Sequence, residues 1–311
     1  MHDTVIRIIQ SKTSFTDFFR YLKKNKLAVM GLAIILSLIL IAIIAPFIAP
    51  HDPLAQNLNN RLLQPCGEYP LGTDDLGRCI LSRIIYGARI SLELGIIIVG
   101  ITSSIGVVLG GFAGYYGGIL DEIIMRVVDI MLSFPGIILA LAIVGALGPG
   151  LFNVMLALTL VHWTSYARVV RGSVLSVKEK EFVESARALG ASNLYIMVNH
   201  ILPNVIAPVI VMATLGMGHV ILSAAALSFL GLGSQPPIPE WGAMLNGGRA
   251  FMRTAPFLTF FPGLAIMITV LHDFRLFRLY QRIKLDHSKI IPALPCIFYP
   301  HTINDIKCRF Q

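Results

Sequence analysis

Long apolar stretches alternate with shorter polar connections along most of this chain. Several of the stretches approach or exceed the roughly 20 apolar residues that a helix needs to cross a hydrocarbon core of about 30 Å. Inside lipid every backbone polar group must be satisfied internally, which an α-helix achieves by itself. The pattern predicts an all-α integral membrane protein with six spans: Leu27–Ile48, Ile90–Tyr115, Ile123–Leu147, Leu151–Val170, Asn204–Leu230 and Phe257–Leu271.

The connections between these spans differ in kind. Residues 1–26 precede the first span, and residues 49–89 form a long loop after it. The connection at 172–203 is unlike the others, because Lys178–Ala191 within it has the polar and apolar pattern of a short surface helix. Such a helix would lie along the membrane rather than cross it. Gly190 can end that helix, and Pro203 suits the first turn of the next one.

Composition and charge support the membrane assignment and orient it. Hydrophobic residues make up 55% of the chain and charged residues only 14%, too few to cover a soluble globule of this size. With residues 1–26 on the cytoplasmic side, 19 of the 25 Lys and Arg residues lie on that side. This bias predicts that both termini are cytoplasmic. The net charge of +8 therefore reflects topology, and we expect no nucleic-acid partner.

One motif in the polar connection carries a specific resemblance. Glu184-Ser185-Ala186 is followed after three residues by Gly190, and nine residues later by His200-Ile201-Leu202-Pro203. This pattern resembles the cytoplasmic coupling loop of ABC importer permeases, which begins Glu-Ala-Ala and ends near Ile-x-Leu-Pro. The resemblance implies an ABC transporter type-1 permease fold over residues 88–271 and a short helix that docks on an ATPase subunit. The residues it assigns to coupling are Glu184, Ser185, Ala186, Gly190, His200, Leu202 and Pro203. Without the resemblance, the same loop is also consistent with a simple amphipathic linker.

Further motifs resemble the dipeptide, oligopeptide and nickel permeases of that family. They are Leu-Gly-Thr-Asp-Asp-Leu-Gly-Arg at 71–78, Gly-Ala-Arg-Ile-Ser-Leu at 87–92, Leu-Ser-Phe-Leu-Gly-Leu-Gly at 227–233, Gln-Pro-Pro at 235–237 and Glu-Trp-Gly at 240–242. Together the matches cover about 19–270, nearly the whole chain except its tail.

The resemblance implies a multi-pass permease subunit in the cytoplasmic (inner) membrane that works with several partners. These are a second homologous permease, two ATP-binding subunits, an extracytoplasmic solute-binding protein and the surrounding lipid. The chain contains no Gly-x-x-x-x-Gly-Lys-Ser/Thr phosphate loop, so we expect no enzymatic activity and no cofactor in this chain, with ATP and Mg bound by the partners. Two other classes stay open: a secondary transporter driven by an ion gradient, whose inverted repeats and midplane acidic pairs are not evident here, and a non-transporting scaffold.

Two histidines inside apolar spans are candidates for the translocation path. Ionisable groups at such positions are costly and usually face a cavity or a partner. His162-Trp163 and Gly218-His219 resemble the nickel members of the family, and imidazole binds nickel well. We therefore predict a transient nickel contact at His162 and His219. The cargo stays open between nickel, free or chelated, and small peptides, because each histidine could also be neutral and bonded to a backbone carbonyl.

Two features of the spans bear on packing. Gly106, Gly110 and Gly114 recur every four residues in the second span, and such a ridge lets another helix approach closely. The partner helix could belong to this chain or to a second permease. Pro135-Gly136 predicts a kink in the third span, since proline removes a backbone hydrogen bond and crowds the preceding turn.

The tail departs from the family pattern. After Val270 the family usually continues its sixth helix, whereas residues 272–311 here form a basic stretch containing proline and cysteine. The apolar part of the sixth span measures only about 22 Å at 1.5 Å per residue, short of a full crossing. We interpret residues 272–311 as an aberrant tail and hypothesise a change of reading frame near Val270, with consequences for the function of this copy.

Overall fold

The computed structural model describes residue 37 and residues 40–271 of the chain. Residues 1–26, most of the predicted first span and the tail at 272–311, with its hypothesised frame change, lie outside the described residues.

Helices dominate the described part of the chain, where the only β-type pairing is an isolated bridge between Thr73 and Cys79. Short 3-10 turns occur at Leu58–Asn60 and Arg249–Phe251, and a π-helical turn at Met197–Ile201. The α-helices are α1 (residues 40–48), α2 (Ile80–Tyr116), α3 (Gly118–Leu132), α4 (Gly136–Leu147), α5 (Leu151–Lys178), α6 (Glu181–Ala188), α7 (Asn193–Ile196), α8 (Leu202–Phe229), α9 (Trp241–Gly248) and α10 (Phe257–Leu271).

Two continuous helices are long and apolar enough to cross a membrane. They are Ile80–Tyr116 and Asn193–Phe229, each of 37 residues, or about 55 Å at 1.5 Å per residue. Helices α3 and α4 form a third candidate if they are counted as one broken span, and α10 is a shorter apolar helix. The described residues thus confirm an all-helical fold with two or three clear spans, while six spans and cytoplasmic termini stay predictions.

Several helices extend beyond the apolar stretches from which the spans were predicted. Helix α2 begins at Ile80, so residues 80–89, predicted as loop, are helical. The first turns of α2 are packed inside the protein, where Ser82 and Arg83 are buried, and this packing stabilises them as helix. Helix α5 likewise continues past Val170 to Lys178, and the helix predicted to start at Asn204 is continuous from Asn193. An apolar stretch indicates which part of a helix contacts lipid. It does not indicate where the backbone hydrogen bonds of that helix end.

The predicted third span is two helices rather than one. Helices α3 and α4 are separated by Ser133–Pro135 and meet at 89°. Pro135 cannot donate a backbone hydrogen bond, and its carbonyl oxygen instead accepts from the amides of Ile138 and Leu139 at the start of α4. The sequence predicted a kink at this position within one helix, and the structure shows a full break between two helices.

The glycine ridge of α2 packs against α5 of the same chain. A Cβ atom added at Gly106 would lie 2.3 Å from Cβ of Tyr166, and one at Gly110 would lie 2.4 Å from the carbonyl oxygen of Ala167. Gly114 faces the next turn of α5 in the same way. Because neither distance leaves room for a side chain, the ridge is what allows α2 and α5 to touch.

Two apolar clusters fill the bundle along its length. One joins α4 to the neighbouring halves of α2, α5 and α8, around Ile98, Leu158 and Leu227. The other joins α5 and α8 to α6 and α7, around Val170 and Val205. We call the end that carries α6 and α7 the α6 end, and the opposite end, which carries residues 49–79 and α9, the α9 end.

Candidate functional site

Residues 179–203, which connect α5 to α8 and include the first two residues of α8, lie at the α6 end, and we call them the coupling segment. Its first helix, α6, closes in a Schellman motif. The amide of Ala191 donates to the carbonyl of Ala186, and the amide of Gly190 donates to that of Arg187. Gly190 has φ +81°, a left-handed conformation that suits glycine. The sequence prediction that Gly190 ends this helix is therefore confirmed.

One face of the coupling segment is anchored in the bundle. Val183 and Ile196 are fully buried and Ile201 is 1% exposed. They pack in the cluster that includes Val177 of α5 and Val205 of α8. This burial fixes the segment to both long helices at once, so the three elements form one packed unit.

Away from these anchors the segment presents large apolar side chains to the outside. Leu189 is 88% exposed, Tyr195 53% and Leu194 66%, and Leu194 lies at an apolar groove that Phe112 of α2 also lines. Glu184 and Arg187 are exposed beside them. An exposed apolar surface with a charged rim is typical of a site that binds another protein.

The residues assigned to coupling from the sequence all lie in this segment. Ser185 is exposed, and its hydroxyl donates to the carbonyl of Glu181 at 2.8 Å. The His200 ring lies in the π-helical turn, with its centroid 5.6 Å from that of Tyr195 and 6.3 Å from that of Phe182. Two of the remaining assigned residues are half-buried, Ala186 and Leu202. The other three are exposed: Glu184, Gly190 and Pro203.

Two hydrogen bonds that the sequence did not predict connect this region to the end of α2. The Tyr115 hydroxyl donates to Oδ1 of Asn193 at 2.8 Å. Nζ of Lys178 donates to the carbonyl of Gly114 at 3.1 Å, where a cation also complements the negative end of the helix dipole. Neither pairing has a local sequence signal, because the partners are more than 60 residues apart.

His162 and His219 lie side by side, midway along α5 and α8. Their ring centroids are 5.4 Å apart and their planes meet at 62°. Nδ1 of His162 is 2.8 Å from the carbonyl oxygen of Leu158, while His219 is exposed on the helix surface. Within the described residues no group of three or more His, Cys, Asp or Glu side chains is placed to hold a metal ion. The pair can therefore supply at most part of a metal's coordination shell.

Several motif residues at the α9 end are buried, among them Asp74, Glu240 and Trp241, whereas Gln235-Pro236-Pro237 at the same end is exposed. Asp74 is 8% exposed and accepts the backbone amides of Leu76 and Arg78 at 3.0 and 2.9 Å. Its other oxygen accepts Nε of Arg78 at 2.7 Å. These bonds close the loop that leads into α2.

Glu240 and Trp241 tie α9 to α2. The Glu240 carboxylate accepts the amides of Gly242 and Ala243, both at 2.9 Å, which caps α9. Burial raises the pKa of Glu240 above its usual range, and the two amide bonds oppose that shift. Nε1 of Trp241 donates to the carbonyl of Ile84 at 3.0 Å. We call this set, with Asp74, the α9 clasp.

Comparison with known proteins identifies the family. The profile described as "Binding-protein-dependent transport system inner membrane component" matches residues 106–282. The dipeptide transport system permease protein DppC of Alkalihalophilus pseudofirmus is 51% identical over 82% of this chain and 84% of its own length. The chain belongs to the binding-protein-dependent transport permeases.

Other similarities of this permease agree with that assignment. Residues 13–65 match the N-terminal transmembrane domain of oligopeptide transport permease C. DppC of Haemophilus influenzae is 46% identical over 84% of this chain and 90% of its own length. The glutathione transport system permease protein GsiD of Escherichia coli O157:H7 is 46% identical over 84% of this chain and 87% of its own length. The permease is thus a multi-pass inner-membrane transport component and not an enzyme.

Proposed function

We propose that this chain is the permease subunit of an ATP-driven ABC importer that moves small peptides across the inner membrane. The three relatives named above support this cargo, since their names refer to dipeptide or glutathione transport and they are 46–51% identical over most of the chain. The coupling segment supports the ATP-driven mechanism, because its architecture suits a surface that is pushed by another protein.

The proposed assembly contains a second homologous permease, two ATP-binding subunits and an extracytoplasmic solute-binding protein. The ATP-binding subunits hold ATP and Mg, and this chain contributes neither. In this arrangement the α6 end faces the cytoplasm and the α9 end faces the solute-binding protein. The excess of Lys and Arg on the predicted cytoplasmic side supports that orientation.

The mechanism follows from how the coupling segment is attached. Closure of the ATP-binding subunits would displace the exposed apolar face of the segment. Val183, Ile196 and Ile201 are buried against α5 and α8, so those helices would tilt with it and open the pathway outward. Moving a two-state gate from 1:99 to 99:1 takes about 5.5 kcal/mol, which requires a rigid connection of this kind.

The observation that carries the proposal is the 88% exposed Leu189 next to Gly190 at the tip of α6. Gly190→Asp tests it, because no atom lies within 4 Å of the position of a Cβ there and aspartate tolerates the left-handed conformation better than most residues. We expect dipeptide uptake to be abolished while membrane insertion is retained, since the new charge and bulk would obstruct docking.

Gly231→Asp is the matched control. Gly231 ends α8 in the same Schellman motif, since the amide of Leu232 donates to the carbonyl of Leu227 and the amide of Gly231 to that of Ser228. It has φ +84° and only one atom, Nδ2 of Asn246 at 3.6 Å, within 4 Å of its Cβ position, but it lies at the opposite end of the bundle. Normal uptake by Gly190→Asp would argue strongly against a coupling role. Uptake that persists after deletion of the ATP-binding partners would favour a gradient-driven transporter instead, and correct insertion without any uptake would favour a scaffold.

Nickel is a second candidate cargo, favoured by the contact between His162 and His219. Two imidazoles would complete the shell of a nickel ion whose other ligands come from a chelator or from the second permease. His162→Phe should then reduce nickel uptake and leave dipeptide uptake nearly unchanged. Equal loss of both would assign the histidine to packing, and peptide uptake alone in the unmodified protein would remove nickel as cargo.

A further inference from the structure

Helix α3 is joined to α5 by two ion pairs near the α6 end. Nε and Nη2 of Arg171 donate to the two carboxylate oxygens of Asp121 at 2.5 and 2.6 Å. Such a two-pronged contact restricts rotation as well as distance. The side chains are 34% and 16% exposed, and a second pair joins Arg168 to Asp129.

The two ion pairs fix the direction of α3 relative to α5. Asp121 and Asp129 are eight residues apart, or about 12 Å along the helix axis. Val128, which lies between them in the sequence, is fully buried. A helix held at two separated points cannot pivot about either one, so α3 must follow a tilt of α5.

The chain at both ends of α3 is suited to bending. Gly117 and Gly118 precede it with φ +66° and +57°, and the break before Pro135 follows it. Left-handed glycines and a proline break interrupt helical hydrogen bonding. Helix α3 is therefore connected through bends to α2 and α4, and through ion pairs to α5.

We propose that Asp121 and Arg171, assisted by Asp129 and Arg168, are positioning residues that make α3 move with α5 during transport. This inference rests on the proposed ATP-driven function. When the coupling segment displaces α5, the ion pairs carry α3 along and change the angle at the α3–α4 break. Without the pairs, α5 moves and α3 stays behind, so ATP hydrolysis continues while transport fails.

The test measures dipeptide uptake and ATP hydrolysis together in the complete reconstituted importer. Asp121→Asn should lower the number of peptides moved per ATP by about tenfold, a size typical of coupling between sites, with hydrolysis retained. Asp121→Arg alone should abolish uptake. Combining it with Arg171→Asp should restore the ratio, because the reversed pair rebuilds the contact between α3 and α5.

Glu93→Gln is the control. It breaks the exposed ion pair between Arg89 and Glu93, 3.1 Å apart within α2, which joins no second helix, so the ratio should not change. An unchanged ratio in Asp121→Asn, or no recovery in an assembled double variant, would overturn the proposal. Failure of all the Asp121 and Arg171 variants to assemble would assign the pair to folding and also overturn it. Uptake by the unmodified importer without ATP hydrolysis would instead refute the proposed function itself.

Discussion

The coupling segment and the α9 clasp use their family motifs in opposite ways. In the clasp, Glu240 and Trp241 are 2% and 1% exposed, and their polar atoms are bonded to backbone groups. In the coupling segment, Leu189 and Leu194 are 88% and 66% exposed. Both regions were recognised from short motifs, yet one motif forms internal structure and the other presents a surface.

This difference leads us to expect different roles for the two regions. Buried motif residues whose bonds are satisfied within the chain stabilise the fold, and their replacement should lower stability before it changes transport. Exposed apolar residues on an anchored segment contribute little to the stability of the isolated chain and need a partner to be covered. Mutations in the two regions should therefore have separable effects.

The largest loss of stability is expected from Trp241→Ala in the clasp. Removing this buried indole leaves a cavity and removes the hydrogen bond to the carbonyl of Ile84, for a cost of about 3–5 kcal/mol. The thermal unfolding temperature of the purified protein in detergent should fall sharply. Phe260→Ala, at a 61% exposed position, serves as the aromatic control; equal losses would show that the clasp is not a stabilising unit.

Ile196→Ala and Leu194→Ala compare a buried and an exposed position of the coupling segment. Ile196 is fully buried while Leu194 is 66% exposed, although they are only two residues apart. We expect Ile196→Ala to cost about 2–5 kcal/mol and Leu194→Ala to change stability by less than about 0.5 kcal/mol. Thermal unfolding and dipeptide uptake measured on both should show uptake falling in each variant but stability only in the first. Similar stability losses would refute the two-faced description.

A smaller effect is expected from Glu240→Gln, which keeps one of the two amide contacts that cap α9 and should cost at most about 1 kcal/mol, with the largest cost at low pH. Because the folded pKa of Glu240 is raised, its contribution to stability is fully present below the ordinary glutamate pKa. It is lost as the pH rises through the folded pKa. Unfolding temperatures should be measured from a pH below the ordinary glutamate pKa to a pH above the folded pKa. They should decline with rising pH in the unmodified protein, and less steeply in the variant. Identical slopes would mean that Glu240 does not titrate in this range.

The sequence predicted local features well where one residue type has one dominant effect. Proline at position 135 predicted a kink where the structure has the break before α4, and Gly190 predicted the end of α6. The apolar stretches predicted an all-helical protein, but helix ends such as Ile80 and Lys178 lie in polar surroundings that hydropathy does not register.

Contacts between distant segments could not be predicted in the same way. The ion pair between Asp121 and Arg171, and the bond from Trp241 to Ile84, join residues that are far apart in the sequence. The sequence analysis assigned His162 and His219 to the same translocation path, and their proximity was expected only for that reason. Such pairs depend on how α2, α3, α5 and α8 pack, and no local pattern encodes that packing.

The central claim is that the exposed face of the coupling segment binds the ATP-binding subunit. It is tested most directly by placing a photo-crosslinking amino acid at position 189 in the assembled importer. The control is position 147, a leucine that is 50% exposed at the opposite end of the bundle. A crosslinked product with the ATP-binding subunit from position 189 and none from position 147 is the predicted result. Crosslinking from position 189 to lipid alone, in a complex that still transports, would contradict the claim.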